Sequence, residues 1–100
     1  IDREKIILDP GVGFGKTFEH NLSVLRHLEE FRRFNLPLLL GASRKSVIGN
    51  ALKLPVEERL EGTLVTTVLA VEKGCMFVRV HDVKEHVRAI RMTRAILEAE

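Results

Sequence analysis

Three short apolar runs, KIILD (residues 5–9), LPLLLGAS (36–43) and CMFVRVH (75–81), each lead into a stretch with helical periodicity. Runs this short, rich in branched or large apolar residues and bounded by Gly, Pro or polar residues, predict buried strands. Near-continuous hydrophobicity favours parallel strands covered on both faces over half-exposed antiparallel ones. Asp9, Ser43 and Arg79 mark the ends of the runs at intervals of about 35 residues, the length of a βαβ unit. The chain therefore reads as βα repeated three times, with no linker or low-complexity segment inside it.

The helical stretches carry their own signals. Thr17 is placed to cap a helix over residues 18–34, with Leu22, Leu25, Leu28 and Phe31 on its apolar face. A short helix is expected over 44–52. Pro55 suits the start of a long helix ending near Lys73, with Leu60, Leu64, Val68 and Val71 facing the core and Gly74 as its stop. Asp82 is placed to cap a last helix whose stripe is Val83, Val87 and Ile90.

Three such units alone leave two open sheet edges and an uncovered apolar face. A closed (β/α)8 barrel takes about 250 residues. The 100 residues are thus expected to be a piece of a larger barrel, with an independent three-layer domain as the alternative. With 45% apolar and 30% charged residues the composition is that of a globular chain. A net charge of +2 is too small to argue for a nucleic-acid partner. No apolar run is long enough to cross a bilayer, and the opening IDREKIILD lacks the apolar stretch of a signal peptide. The single cysteine, Cys75, reads as a small core residue and suggests a reducing, cytoplasmic setting.

In parallel α/β proteins ligands bind beyond the carboxyl ends of the strands, and the unusual residues collect there. In DPGVGFGKT (9–17), Gly11, Gly13 and Gly15 allow positive φ and close approach of backbone to ligand. The loop is not a P-loop, which needs Gly where Pro10 stands. Nor is it a dinucleotide fingerprint, which needs Gly at Lys16. In GASRKS (41–46), the cations Arg44 and Lys45 and the hydroxyls of Ser43 and Ser46 suit a carboxylate or phosphate, or simply cap a helix. In RVHDV (79–83), Arg79 and His81 point to one side of a strand. A charge inside an apolar strand calls for an anionic partner, such as phosphate oxygens or, more plainly, Asp82. His20, His27 and His86 have no metal-ligand spacing and read as surface residues, and Asn21-Leu22-Ser23 as a chance glycosylation match.

Taken together, DPGVGFGK, GASRKS, the stretch Arg59-Leu60-Glu61-Gly62-Thr63 and RVHDV, in this order and spacing, resemble the dihydropteroate synthase family over essentially the whole chain. The resemblance implies a (β/α)8 TIM barrel, of which residues 1–100 are the last three βα units, strands six to eight. It implies the condensation of a hydroxymethyl-dihydropterin diphosphate with p-aminobenzoate, in the cytoplasm. By the same resemblance Asp9, Lys45 and Gly13 bind the pterin, and Arg79 and His81 hold the diphosphate. Phe14, Ser43, Arg44 and Lys45 face p-aminobenzoate and sulfonamide inhibitors. Lys45, Arg79 and His81 are the expected catalytic residues. Val12 departs mildly from the Phe common in the family.

The resemblance further implies Mg2+, held by an Asn outside this chain with no metal ligand within it, and a homodimer of the full enzyme without nucleic-acid or membrane partners. Because the family's first strand and early loops are missing, the isolated chain is expected to be inactive. Three rivals remain at this point. They are another pterin-binding barrel such as a methyltetrahydrofolate methyltransferase, a self-associating non-catalytic fragment, and a general anion-binding module, which Asp9 would disfavour by repulsion.

Overall fold

A computed structural model describes residues 6–13 and 16–100. The parts of the first run before Ile6, and Phe14 and Gly15 in the first loop, lie outside the described residues.

The three apolar runs lie side by side and parallel, in sequence order. Leu8 bridges to Leu38, and β1 (Leu39–Leu40) pairs with β2 (Phe77–Val78) in the register Leu39 with Phe77 and Leu40 with Val78. The regular ladder is shorter than the runs predict. Pro37 has no N–H to give, and the N–H groups of Met76 and Phe77 both donate to the Leu38 carbonyl, at 3.0 and 3.2 Å.

Alternation along these segments separates two faces. Leu38, Leu40 and Ala42 point at the helices and are at most 4% exposed. They pack with Val12, Leu25, Leu28, Val47, Ile48 and Ala70 into the core. The opposite parity, Ile7, Asp9, Leu39, Gly41, Phe77 and Arg79, forms a face without a covering layer of helices, where Ile7 is 50% and Phe77 43% exposed. Among the described residues this is the uncovered apolar face expected of three units standing alone. The Cα envelope, 39 × 36 × 21 Å, is two layers thick rather than three.

Helix α1 (Phe18–Arg26) is capped as expected, with the Thr17 hydroxyl accepting from His20 N–H at 3.2 Å. It stops eight residues early. His27 leaves helical geometry (φ −115°, ψ 32°), and the chain tightens into a 3-10 helix, Leu28–Phe34, closed by left-handed Asn35. Helix α2 (Ser46–Leu52) lies within the predicted 44–52. Pro55 starts only the 3-10 turn Val56–Glu58, and the long helix α3 (Leu60–Glu72) begins after it and ends at Gly74 (φ 89°) as expected. Helix α4 spans Val83–Leu97.

The expected faces of α3 and α4 are wrong. Leu60, Leu64, Val68 and Val71 are only half-buried, while Thr63, Thr66, Thr67 and Ala70 are buried. On α4, Val83 is 59% and Val87 39% exposed, whereas His86 and Thr93 are buried. His86, expected on the surface, is 1% exposed. Its Nδ1 meets Thr67 Oγ1 at 2.8 Å, so one polar pair joins the two helices at their contact. The bond gives the Thr67 hydroxyl and His86 Nδ1 a partner in the buried contact. Cys75 is half-buried against the core as expected, and burial pushes its thiol up to about 11. Among the described residues no helix is long and apolar enough to cross a membrane.

Candidate functional site

The site residues arrive together because strand parity and register carry them there. Gly41 and Arg79 continue the paired segments on the uncovered face, and Ser43 and His81 follow two residues later. Arg79 is not buried in the strand as the sequence suggested. It is exposed, and its guanidinium lies across Gly41, where a Cβ would sit 2.9 Å from Cζ. The site needs glycine here because any side chain would displace the guanidinium.

Gly41, Ser43, Lys45, Arg79, Val80 and His81 line a small cleft of about 140 Å³. Ser43, 8% exposed, sits 2.7 Å from His81 Nδ1 through its Oγ, which also accepts the His81 backbone N–H at 3.1 Å. The Lys45 side chain reaches back to the first loop. Its Nζ donates to Val12 C=O at 2.5 Å, and its stem runs past Gly13, whose added Cβ would lie 3.1 Å from Cδ. Burial and the positive charge of Arg79 hold the Lys45 ammonium below its usual pKa, and Asp9 opposes them. Lys45 thus feels the charges of both Arg79 and Asp9, which stand at the ends of the two other runs. One Asp9 oxygen, Oδ1, accepts Gly11 N–H at 2.8 Å.

Two expectations change. Asp82 stands at the N-terminal cap of α4 but makes no side-chain capping bond. It binds Arg44 instead, at 2.8 Å to Nη2 and 3.4 Å to Nε, and this guanidinium holds the Asp82 carboxyl below its ordinary range. The alternative Arg79–Asp82 pair is therefore replaced, and Arg44 turns towards Asp82 rather than lining the cleft. Phe14 lies outside the described residues. His20 and His27 are exposed, as expected.

Sequence reasoning missed Asn21. It is 3% exposed and its Oδ1 accepts Gly13 N–H at 2.9 Å, tying the glycine loop to α1. Its signal was legible, since a polar residue stands on the stripe that continues through Leu25 and Leu28. Among the described residues no group of three His, Cys, Asp or Glu is placed to hold a metal ion.

The sequence matches the family described as pterin binding enzyme over residues 1–81. The chain belongs to this family. Among pterin binding enzymes, the dihydropteroate synthase of Clostridium beijerinckii is 59% identical over 95 residues, covering 94% of this chain and 35% of its own length. The dihydropteroate synthase of Escherichia coli K12 is 53% identical over all 100 residues and 36% of its own length. The crystal structure of the Yersinia pestis dihydropteroate synthase superimposes with a TM-score of 0.96 at 45% identity, covering 99% of this chain and 41% of that one. That of Clostridium difficile, solved in the presence of pteroic acid, gives 0.93 at 56% identity over 98% and 37%. This pterin binding enzyme chain therefore spans about a third of the length of the curated relatives it matches, and its α/β fold is theirs over that span.

Proposed function

We propose that the chain is the last three βα units of a (β/α)8 dihydropteroate synthase and supplies the pterin and diphosphate end of its active site. The observation that carries this reading is the convergence of Ser43, Lys45, Arg79 and His81 on one cleft, with Asp9 close enough to act on Lys45. The uncovered sheet face fits the interior of a barrel closed by further strands.

In this reading p-aminobenzoate attacks the exocyclic methylene of the dihydropterin diphosphate. The new C–N bond forms as the C–O bond breaks, diphosphate leaves with the electron pair, and the amine gives up a proton. An aryl amine is neutral at pH 7, so the barrier lies mainly in the departing charge. Arg79 presents a planar fork to the diphosphate, and His81 adds a donor beside it. Asp9 accepts from the pterin's amino and ring N–H groups, and Lys45 lies between pterin and p-aminobenzoate. Catalysis then comes from positioning and from cations aimed at the leaving group. The same cleft is the proposed seat of sulfonamides, which the Yersinia pestis enzyme binds. In this reading the Mg2+ implied by the family would be held by an Asn outside this chain.

A chimera tests the proposal. Residues 1–100 replace the matching third of the Escherichia coli relative, to which they are 53% identical. The chimera is expected to form dihydropteroate at a rate within about tenfold of the parent, while the isolated chain forms none. A folded chimera without turnover overturns the reading.

A further inference from the structure

We infer that Thr63 and Arg59 are positioning residues, which clamp Arg44 in a left-handed turn and through it set Ser43 and Lys45 in the cleft. The inference rests on the synthase reading above.

The turn Ala42–Lys45 is closed by Lys45 N–H donating to Ala42 C=O at 3.2 Å, and its third residue, Arg44, has φ 57°. Positive φ at that position is the mark of a type II turn, where glycine or asparagine is the usual choice. An arginine there crowds its Cβ against the backbone and needs outside support. Glycine would relieve the strain but would lose the Arg44 side chain, which binds Asp82, the neighbour of His81.

Support comes from the start of α3. Arg44 N–H donates to Thr63 Oγ1 at 3.1 Å, and Arg44 C=O accepts from Arg59 Nη1 at 3.0 Å. Both backbone groups of the strained residue are therefore held. Thr63 is 1% exposed, and its own O–H donates to Arg59 C=O at 2.8 Å, which turns its lone pairs towards Arg44. Arg59 is fixed in turn by Nε donating to Leu54 C=O at 3.0 Å. Its guanidinium lies flat against Gly49 of α2, where an added Cβ would come within 2.6 Å of Nε. Gly49 is thus a space requirement of the clamp.

None of Thr63, Arg59 and Gly49 lines the cleft. Their effect passes through the two residues flanking Arg44. Ser43 carries the bond to His81, and Lys45 the bond to Val12. Rotation at Arg44 displaces both, so the clamp acts on substrate binding and not only on stability.

The test uses the chimera with Thr63→Val, which keeps the shape but removes the hydroxyl, and Thr63→Ser, which keeps it. The expected result for Thr63→Val is KM values for p-aminobenzoate and for the pterin diphosphate both raised roughly tenfold, the scale of one lost buried hydrogen bond. Thr63→Ser restores the parent values. Crystal structures of the pair should show Arg44 leaving the positive-φ region only in Thr63→Val. If that variant does not fold, Gly49→Ala, which pushes Arg59 off the Arg44 carbonyl, is expected to raise both KM values in the same way. A turn unmoved in the crystal overturns the clamp. So does a loss of activity with both KM values unchanged, the mark of a merely structural role. A chimera without turnover sinks the synthase reading, and the Arg44 φ angle then decides the clamp alone.

Discussion

The two ends of the sheet are held in different ways. At the carboxyl ends, specific polar bonds join all three units: Lys45 to Val12, Ser43 to His81, and Arg44 to Asp82. At the amino end of β2, Cys75, Met76 and Phe77 face Val71, Ile90 and Leu97 across an open cleft of about 420 Å³. There Met76 is 69% and Leu97 53% exposed. The first end is tied by directional bonds, which fix the orientation of the groups they hold. The second end leaves apolar surface that the described residues do not cover. Polar ties gather at one rim, and open apolar surface at the opposite one.

Arg79→Ala in the chimera attacks the first end and should have the largest effect. A leaving-group contact of this kind is worth about 3 kcal/mol, so kcat should fall by roughly two orders of magnitude. Gly41→Ala should reproduce part of that loss, because the new Cβ displaces the Arg79 guanidinium. A near-normal kcat for Arg79→Ala, measured at saturating substrates, would remove Arg79 from the mechanism.

Met76→Asp attacks the second end. If further barrel units cover the cleft as proposed, a carboxylate placed there in the chimera costs about 1–3 kcal/mol of stability. If the cleft stays open in the intact molecule, the change stays within about 0.5 kcal/mol. Urea unfolding of the two proteins distinguishes these outcomes, and the second would break the contrast between the ends.

The rim was more legible in the sequence than the helix contacts. Thr17, Gly74 and the residues closing each apolar run act through local backbone geometry, which sequence spacing records directly. The α3–α4 contact is not local. Thr67 and His86 Nδ1 pair across 19 residues, so neither betrays itself as a core residue, and the apolar stripes on the same helices stay partly exposed. Asp82 shows the same limit. Its position at the start of α4 was readable, but its choice of Arg44 over a capping bond depends on a turn 38 residues away. Ladder length failed for another reason, since hydrophobicity does not reveal that two N–H groups share the Leu38 carbonyl.

His86 supplies the smallest effect and the sharpest separation of the two regions. It is 1% exposed, and its Nε2 is a buried nitrogen without a hydrogen-bond partner among the described residues. Burial holds its pKa below the ordinary 6.5, outweighing the opposing pull of Asp82 and Glu85. As pH drops below about 6.5 the unfolded chain takes up a proton that the folded chain refuses, so stability falls with falling pH. Asp82 contributes in the same direction, but only below its ordinary value of 3.8. Removing both members of the pair, with His86→Leu and Thr67→Val, leaves no orphaned polar atom and should change stability at pH 8 by about 1 kcal/mol or less. The decline between pH 7 and pH 5 should flatten in the double variant, while both KM values at pH 8 stay within about twofold, because His86 lies outside the cleft. Chemical denaturation of parent and variant across that range gives the answer. Parallel declines would mean that the helix contact is not the source of the acid sensitivity, and that the rim shares it.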